Sequence, residues 1–308
     1  FIGGIAVGIS SVTAPIYISE ITTPKNRGTL GVLYQFSLVF GILIAYFSNY
    51  LLTGFDGSND WRWMLGVEAI PALLYLLMTL YIPNSPRWLV LFKNDDLTAQ
   101  KVLEVIYSNK SEADDVLKSI KTTDNTVSKE NNLFIPRFKK TILLAFFISF
   151  FNQLSGINFI LYYAPEILEM GGFATKESLF NSVIIGLTNI VFTFGGLLLI
   201  DRLGRKQLLV IGSIGYIIGL CGVSGAFYYE WNPQLIAFFI FAFIAAHGIG
   251  QGTVIWVFIS EIFPNRIRAL GQSFGSGVHW VFAALITLLG PSVIEIYNNC
   301  PWPIFAFF

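Results

Sequence analysis

Eight long apolar stretches, separated by short polar segments, dominate the pattern of this 308-residue sequence. A membrane-spanning helix needs roughly 20 mostly apolar residues, because the hydrocarbon core of a bilayer is about 30 Å thick. Stretches of this kind, numbered here as spans 1 to 8, lie at residues 1–19, 30–52, 63–82, 141–168, 179–200, 208–229, 235–260 and 269–294. A further apolar stretch begins at Pro301. The pattern predicts an all-α polytopic membrane protein.

The composition agrees with this interpretation. Hydrophobic residues make up 54% of the chain and charged residues only 12%, whereas a typical soluble domain has about 25% charged residues. The 19 basic residues balance the 19 acidic ones, so the net charge gives no reason to expect a nucleic-acid partner. Two cysteines are too few for a disulfide framework and lack the spacing of a metal site. Cys221 lies in an apolar run and is expected to be a small core residue.

The basic residues predict an orientation in the membrane. Of the 19 Lys and Arg residues, 17 lie in the loops after spans 1, 3, 5 and 7, and only Arg62 and Lys176 lie elsewhere. Because cytoplasmic loops carry the excess of Lys and Arg, we expect these loops, including the largest at residues 84–140, to be cytoplasmic. Apolar residues recur at helical spacing within that loop, which predicts short amphipathic helices.

A short internal repeat indicates two related halves. The sequence Ile-Ser-Glu-Ile occurs at residues 18–21 and 259–262, and an arginine follows the glutamate of each copy by seven residues, at Arg27 and Arg268. Repeated halves with a substrate site between them are the usual architecture of secondary transporters. If the halves are equivalent six-span units, about three spans would precede residue 1 and most of one would follow residue 308. We therefore expect this sequence to comprise three parts.

The first part would be the remainder of an N-terminal half, residues 1–83. The second would be the cytoplasmic loop, residues 84–140, and the third the C-terminal half, residues 141–308.

Polar side chains lie inside several apolar spans, where they are costly unless they face the bundle interior, a partner or a water-filled cavity. Span 4 contains Asn152, Gln153, Asn158 and Tyr162, with Gly156 permitting a break in the helix. Amides offer donors and acceptors to sugar hydroxyls, and aromatic rings cover the C–H face of a sugar. The alternative is that these amides only join spans to one another. Other candidates are Gln35, Asn189, Trp256, His279 and Trp280.

Five motifs, in order along the chain, resemble the signatures of the sugar porter family of the major facilitator superfamily. They are Pro-Ile-Tyr-Ile-Ser-Glu at 15–20 with Arg27-Gly28, Pro-Asn-Ser-Pro-Arg-Trp-Leu at 83–89, Gln-Leu-Ser-Gly-Ile-Asn at 153–158, Asp-Arg-Leu-Gly-Arg-Lys at 201–206, and Glu261 with Arg268. The resemblance implies the major facilitator fold, with two pseudo-symmetric six-helix halves that are incomplete here. This sequence would contain family spans 4 to 11 and the start of span 12.

The resemblance also implies a central cavity for the substrate. Its lining residues would match Gln35, Gln153, Asn158, Tyr162, Asn189, Gly252, Trp256 and Trp280. The sequence departs from the family at three positions. Asn152 replaces a glutamine, Asn84 replaces a glutamate, and His279 lies where the family has an amide. We include Asn152 and His279 among the candidate substrate-binding residues.

The favoured function is transport of a monosaccharide, a hexose or pentose, by alternating access across the plasma membrane. We expect a monomeric proton-coupled symporter surrounded by lipid, with no cofactor or metal. Enzymatic functions lack support, because the sequence has no Gly-rich phosphate loop. A facilitated uniporter of sugar or polyol is one alternative, and a non-transporting sugar sensor is another. The resemblance implies that the coupling acid of proton-coupled relatives lies in family span 1, which we expect to precede residue 1.

Charged residues at the predicted cytoplasmic ends of the spans form a second group of candidates. An ion-pair network at this edge could bias a transporter between two states that differ by only a few kcal/mol. The alternative is that the charges only anchor helix ends among the lipid headgroups. The predicted gate residues are Glu20, Arg27, Asp201, Arg202, Arg205, Glu261 and Arg268.

Overall fold

The structure, a computed structural model, describes residues 1–23, 27–107, 109–127, 133–264, 267–298 and 300–308, with the backbone alone for 27–32, 123–127 and 260. Within these residues the chain forms helices and no strand. Eight helical segments have the length and composition to cross a membrane, which confirms the predicted all-α polytopic class. They are Ile2–Glu20, Leu33–Leu52, Gly57–Thr79, Pro136–Tyr162, Thr175–Leu203, Arg205–Tyr228, Pro233–Ile259 and Arg268–Ile296, which keep the names span 1 to span 8.

Three of the spans are interrupted within their length. Span 4 breaks at Gly156, which takes a left-handed φ of 74°, as the sequence predicted. A second break at Tyr163 precedes Pro165, whose ring cannot continue a regular helix. The segments of the interrupted spans are Gly57–Asn59, Asp60–Gly66 and Ala69–Thr79 in span 3; Pro136–Phe138, Lys139–Leu154 and Ile157–Tyr162 in span 4, which the short helix Ala164–Met170 follows; and Pro233–His247, the π-helical turn Gly248–Gly252 and Thr253–Ile262 in span 7.

The remaining spans are continuous helices, and the helix of span 2 covers Arg27–Leu52.

The chain divides into two compact units. Unit 1 comprises Phe1–Tyr34, Val67–Lys139 and Phe263–Ser273, and unit 2 comprises Gln35–Gly66, Lys140–Ile262 and Phe274–Phe308. The division at residues 83 and 140 that the sequence suggested stays a prediction.

Unit 1 contains the helices of the large loop. Asp95 begins the first long one by accepting a hydrogen bond from the Thr98 backbone N–H at 3.0 Å. Hydrogen bonds from Thr98 also hold the pKa of the Asp95 carboxyl below its ordinary value. Leu89, Val90 and Ala99 form a small core between the loop helices. The segments are Pro86–Trp88, the π-helical turn Leu89–Lys93, Asp96–Ile106 and Lys110–Val127.

Unit 2 contains a core in which apolar side chains of spans 4 to 8 pack together with the final helix, Trp302–Phe307. Two tyrosines add hydrogen bonds to backbone carbonyls of other segments: Tyr46 donates to Leu161, and Tyr163 donates to Thr287 at 3.2 Å. The expectation for Cys221 was wrong, because its side chain is exposed. An apolar run inside a membrane span does not distinguish a core position from a lipid-facing one.

Spans 5, 6 and 7 approach one another through glycines. A Cβ atom on Gly196 would lie 2.7 Å from the Thr253 hydroxyl oxygen and 2.8 Å from the Ile249 carbonyl oxygen. A Cβ on Gly250 would lie 2.7 Å from the Gly212 Cα atom. Lipid gives no hydrophobic driving force between membrane helices, so the helices associate through close packing. Small residues permit this close approach. The irregular turn of span 7 is therefore held tightly against spans 5 and 6.

Adjacent glycines in span 5 provide a test of this contact. Gly196→Ala should destabilise the protein by about 1–3 kcal/mol, the usual cost of forcing extra volume into a packed interior. Gly195→Ala is the matched control, because a Cβ there meets no atom within 4 Å. Thermal unfolding of the two variants in detergent measures the difference. A melting temperature for Gly196→Ala equal to that of Gly195→Ala would contradict the proposed packing.

Candidate functional site

The break in span 4 brings its amide side chains together. The Gly156 N–H donates to the Gln153 carbonyl at 2.9 Å, and the chain then resumes as the helix Ile157–Tyr162. Across this turn the Asn158 side chain donates to Gln153 Oε1 at 2.8 Å, and Gln153 Nε2 donates to Asn152 Oδ1 at 2.8 Å. The left-handed conformation of Gly156, which few other residues adopt, allows Gln153 and Asn158 to face each other.

Aromatic residues of spans 7 and 8 complete this group. Gln153 Nε2 lies 3.1 Å from both ring nitrogens of His279. The His279 ring lies 4.8 Å from the Trp256 ring and 5.4 Å from the Trp280 ring, measured between ring centroids. We name the six residues Asn152, Gln153, Asn158, Trp256, His279 and Trp280 the amide cluster. Three spans thus contribute to one polar and aromatic surface.

Some buried polar atoms of the candidate residues have no hydrogen-bond partner within the described part of the chain. They are Asn152 Nδ2, Trp280 Nε1 and Gln35 Oε1. Leaving a buried polar group unsatisfied costs about 1–3 kcal/mol. Two donors in the amide cluster and one acceptor in span 2 could therefore bind a ligand rich in hydroxyl groups, since a hydroxyl both donates and accepts.

The other predicted residues do not join the amide cluster through a hydrogen bond or ring contact among the described residues. Tyr162 is 56% exposed, although it lies one turn after Asn158. Asn189 is buried and accepts a hydrogen bond from the Thr193 hydroxyl at 3.4 Å. Gly252 is buried against His247, whose Nε2 would lie 2.7 Å from a Cβ at that position.

Sequence reasoning missed the residues that support these positions. The Thr253 hydroxyl lies 2.6 Å from the Gly248 carbonyl and 3.3 Å from the Thr193 carbonyl, so it joins span 7 to span 5. The Tyr216 hydroxyl lies 2.5 Å from His247 Nδ1. The four-residue spacing of Asn189 and Thr193 was a sequence signal for their contact. No local pattern indicated the pair formed by Tyr216 and His247.

Three of the predicted charged residues, Asp201, Arg205 and Glu261, form a compact group at one end of unit 2. Arg205 binds Glu261 through two hydrogen bonds, from Nη2 to Oε1 at 2.7 Å and from Nε to Oε2 at 3.0 Å. Its Nη1 also lies 3.4 Å from an Asp201 carboxylate oxygen. Such a two-bond geometry is the strongest that an arginine and a carboxylate form. Spans 5, 6 and 7 are thereby joined at this end.

The remaining charges are placed as follows. Glu20 accepts a hydrogen bond from the Ser85 hydroxyl within unit 1, and the neighbouring Tyr17 donates to the Pro83 carbonyl at 2.6 Å. Arg202 is exposed. The Nε atom of Arg268 is buried without a partner within the described residues. The prediction for the Arg27 side chain falls outside what the structure describes. A gate role for these charges stays a prediction.

Comparison with known proteins gives consistent results. The D-xylose-proton symporter of Escherichia coli (strain K12) is 34% identical over 286 residues, which are 91% of this chain and 58% of that protein. The galactose-proton symporter of the same strain is 36% identical over 308 residues, and the match covers 96% of this chain and 64% of that protein. The chain thus spans about three fifths of the length of these relatives.

A solved structure agrees with the sequence comparison. The major facilitator superfamily proton:xylose symporter XylE, bound to 6-bromo-6-deoxy-D-glucose, superposes with a TM-score of 0.80. It is 30% identical and covers 99% of this chain and 67% of that one. The chain therefore has the major facilitator fold of a multi-pass membrane protein.

The family model described as "Sugar (and other) transporter" matches residues 1–308. This confirms the resemblance to the sugar porter family that was drawn from the motifs. The chain belongs to the sugar (and other) transporter family.

Proposed function

We propose that the protein of which this chain forms at least a part transports a monosaccharide, a hexose or pentose, by alternating access. The transport is proton-coupled symport, the protein acts as a monomer in the plasma membrane, and residues 84–140 lie in the cytoplasm. The amide cluster is the observation that carries this proposal. It combines amide donors, amide acceptors and indole rings in a chain whose matched relatives bear the names of sugar-proton symporters.

The chemistry of the cluster supports a sugar as substrate. Asn152 Nδ2 and Trp280 Nε1 are enclosed donors without partners in the described residues, and a sugar hydroxyl can accept from each. The Trp256 and His279 rings offer flat surfaces for the C–H face of a pyranose. Gln35, Asn189, Tyr162 and Gly252 are proposed as further lining residues on the strength of the family motifs.

Uptake measurements with the full-length protein test the function. The protein, produced in cells that lack their own sugar carriers, should accumulate radiolabelled xylose, galactose or arabinose against a gradient. A protonophore should abolish this accumulation, because symport takes its energy from the proton gradient. Equilibration without accumulation would indicate a uniporter. Binding of sugar without any uptake would indicate a sensor.

A variant of the central amide tests the site itself. Gln153→Leu removes the acceptor for Asn158 and the donor to both Asn152 and His279. We expect sugar affinity to fall by about 1–3 kcal/mol, because a sugar hydroxyl that meets the leucine side chain would be buried without a hydrogen-bond partner. Binding to the purified protein, measured by calorimetry, gives the affinity directly.

The matched control is Gln251→Leu. Gln251 is also a partly buried amide, but it donates to the Leu209 carbonyl at 3.4 Å and to the Ser213 hydroxyl at 2.8 Å, outside the amide cluster. The affinity of the Gln251→Leu variant for sugar should stay close to that of the parent. Unchanged affinity in a folded Gln153→Leu protein would remove Gln153 from the site.

The charged group of Arg205, Asp201 and Glu261 is proposed as part of the cytoplasmic gate. Alternating access requires a contact that forms when the cytoplasmic side closes and breaks when it opens. Arg205 is suited to this because it binds acids from spans 5 and 7 at once. Glu20 has the same position in the first copy of the sequence repeat as Glu261 has in the second, and it accepts a hydrogen bond from Ser85. Arg27, Arg202 and Arg268 belong to the same proposal.

Neutralising Glu261 should shift the protein toward the inward-open state. A single cysteine introduced beside Asn158, in a background without Cys221 and Cys300, reports access from the cytoplasm. Glu261→Gln should increase its labelling rate about two- to fivefold, as expected for an exposed pair worth up to about 1 kcal/mol.

Glu177→Gln is the control for this experiment. Glu177 is an exposed acid in the first turn of span 5 and lies outside the proposed gate, so its loss should change labelling little. Equal labelling in Glu261→Gln and the parent would leave these charges as anchors in the headgroup region.

A further inference from the structure

The surface of unit 2 carries a groove that neither the amide cluster nor the Arg205 ion pairs use. Its volume is about 490 Å³, and three spans form it. Span 4 contributes Leu144 and Ile148, span 6 contributes Ile214 and Ile217, and span 7 contributes Phe258. Leu144, Ile214 and Ile217 are 45%, 54% and 64% exposed. The walls therefore present a concave apolar surface on the outside of the helices.

One end of the groove is basic. Lys206 is a lining residue near the start of span 6 and is exposed. Lys140 lies one helical turn before Leu144 in the helix Lys139–Leu154. Residues four apart share a helix face, so the span 4 wall also begins with a cation. Both walls thus begin with a lysine at the end of the groove that the positive-inside rule assigns to the cytoplasm.

The acids near this end do not neutralise the two lysines. Asp201 and Glu261 both bind Arg205. Within the described residues, Lys206 and Lys140 form no ion pair with a carboxylate. The entrance to the groove therefore has an uncompensated positive charge. Each lysine near a membrane surface contributes about 1 kcal/mol to the free energy of binding anionic lipid.

The length of the groove corresponds to one leaflet. Lys206 and Ile217 are eleven residues apart in one continuous helix, which is about 16 Å at 1.5 Å per residue. Half of a 30 Å hydrocarbon core is about 15 Å. A lipid acyl chain that starts at the headgroup level beside Lys206 would thus end near Ile217, at the middle of the bilayer.

We propose that this groove is a binding site for an anionic phospholipid of the cytoplasmic leaflet. One acyl chain lies along Leu144, Ile148, Ile214, Ile217 and Phe258, and the headgroup phosphate binds Lys206 with Lys140 nearby. Charge complementarity selects the headgroup, and the concave wall retains the chain. The bound lipid contacts spans 4, 6 and 7 at the same end as the Arg205 ion pairs. The proposal is independent of which substrate the protein transports.

Native mass spectrometry of the full-length protein tests the site. The protein is released from mixed micelles that contain equal amounts of phosphatidylglycerol and phosphatidylcholine with the same acyl chains. The parent should retain phosphatidylglycerol in preference to phosphatidylcholine. Lys206→Gln should lower its retention about fivefold, and Ile214→Phe should lower it as well by filling the groove.

Two control variants match these changes elsewhere. Lys176→Gln removes an exposed lysine at the start of span 5, and Ile211→Phe enlarges an exposed residue of span 6 that does not line the groove. Both should retain phosphatidylglycerol like the parent. Equal retention of the two lipids by the parent, or unchanged retention in either groove variant, would overturn the proposal. Melting temperatures confirm that all variants are folded.

Discussion

Inside a bilayer every backbone N–H and C=O must find its partner within the protein, because hydrocarbon offers none. Two of the three interrupted spans show how a membrane helix meets this constraint. Span 4 leaves regular geometry at Gly156 and span 7 at Gly248–Gly252, and both turns are buried. At each, side-chain hydroxyls help to satisfy the freed carbonyls: Ser155 donates to Asn152, and Thr253 donates to Gly248. The candidate site lies at these two turns.

The same turns give the site its chemistry. A regular helix would place Gln153 and Asn158, five residues apart, on different faces. The break at Gly156 instead allows a direct hydrogen bond of 2.8 Å between their amides. The π-helical turn in span 7 is followed by Trp256, whose ring lies beside His279 of span 8. Irregular backbone thus converts polar residues scattered along three helices into one surface, and glycine contacts with spans 5 and 6 hold it in place.

Much of this architecture could be predicted from the sequence, because length and hydropathy are direct consequences of bilayer thickness. The eight spans follow from that thickness, and the break at Gly156 follows from the conformational freedom of glycine. What could not be predicted is rotation about the helix axis. Cys221 lies in an apolar span and was expected in the core, yet it is exposed. Which face of a span contacts lipid depends on the neighbouring helices. The hydrophobic pattern of a helix that is apolar on all sides does not indicate that face.

Partners across helices were equally hard to predict. The pair of Arg205 and Glu261 could be anticipated, since charges at a membrane edge are few and a carboxylate there needs a cation. The pair of Tyr216 and His247, 31 residues apart, could not, because nothing in either local sequence refers to the other. The replacement of a family amide by His279 was visible, but its contact with Gln153 required the three-dimensional arrangement.

The pairing within the amide cluster also bears on how tightly a sugar could bind. Gln153 is 1% exposed, and both of its amide atoms already have protein partners. A sugar hydroxyl that reaches Gln153 would exchange one hydrogen bond for another, and such an exchange has a small net free energy. The gain in affinity would come instead from Asn152 Nδ2 and Trp280 Nε1, which lack partners in the described residues. In the proposed transporter, the existing partners of Gln153 would therefore keep the affinity for sugar moderate. A moderate affinity suits a carrier, because the carrier must release its substrate on the other side of the membrane.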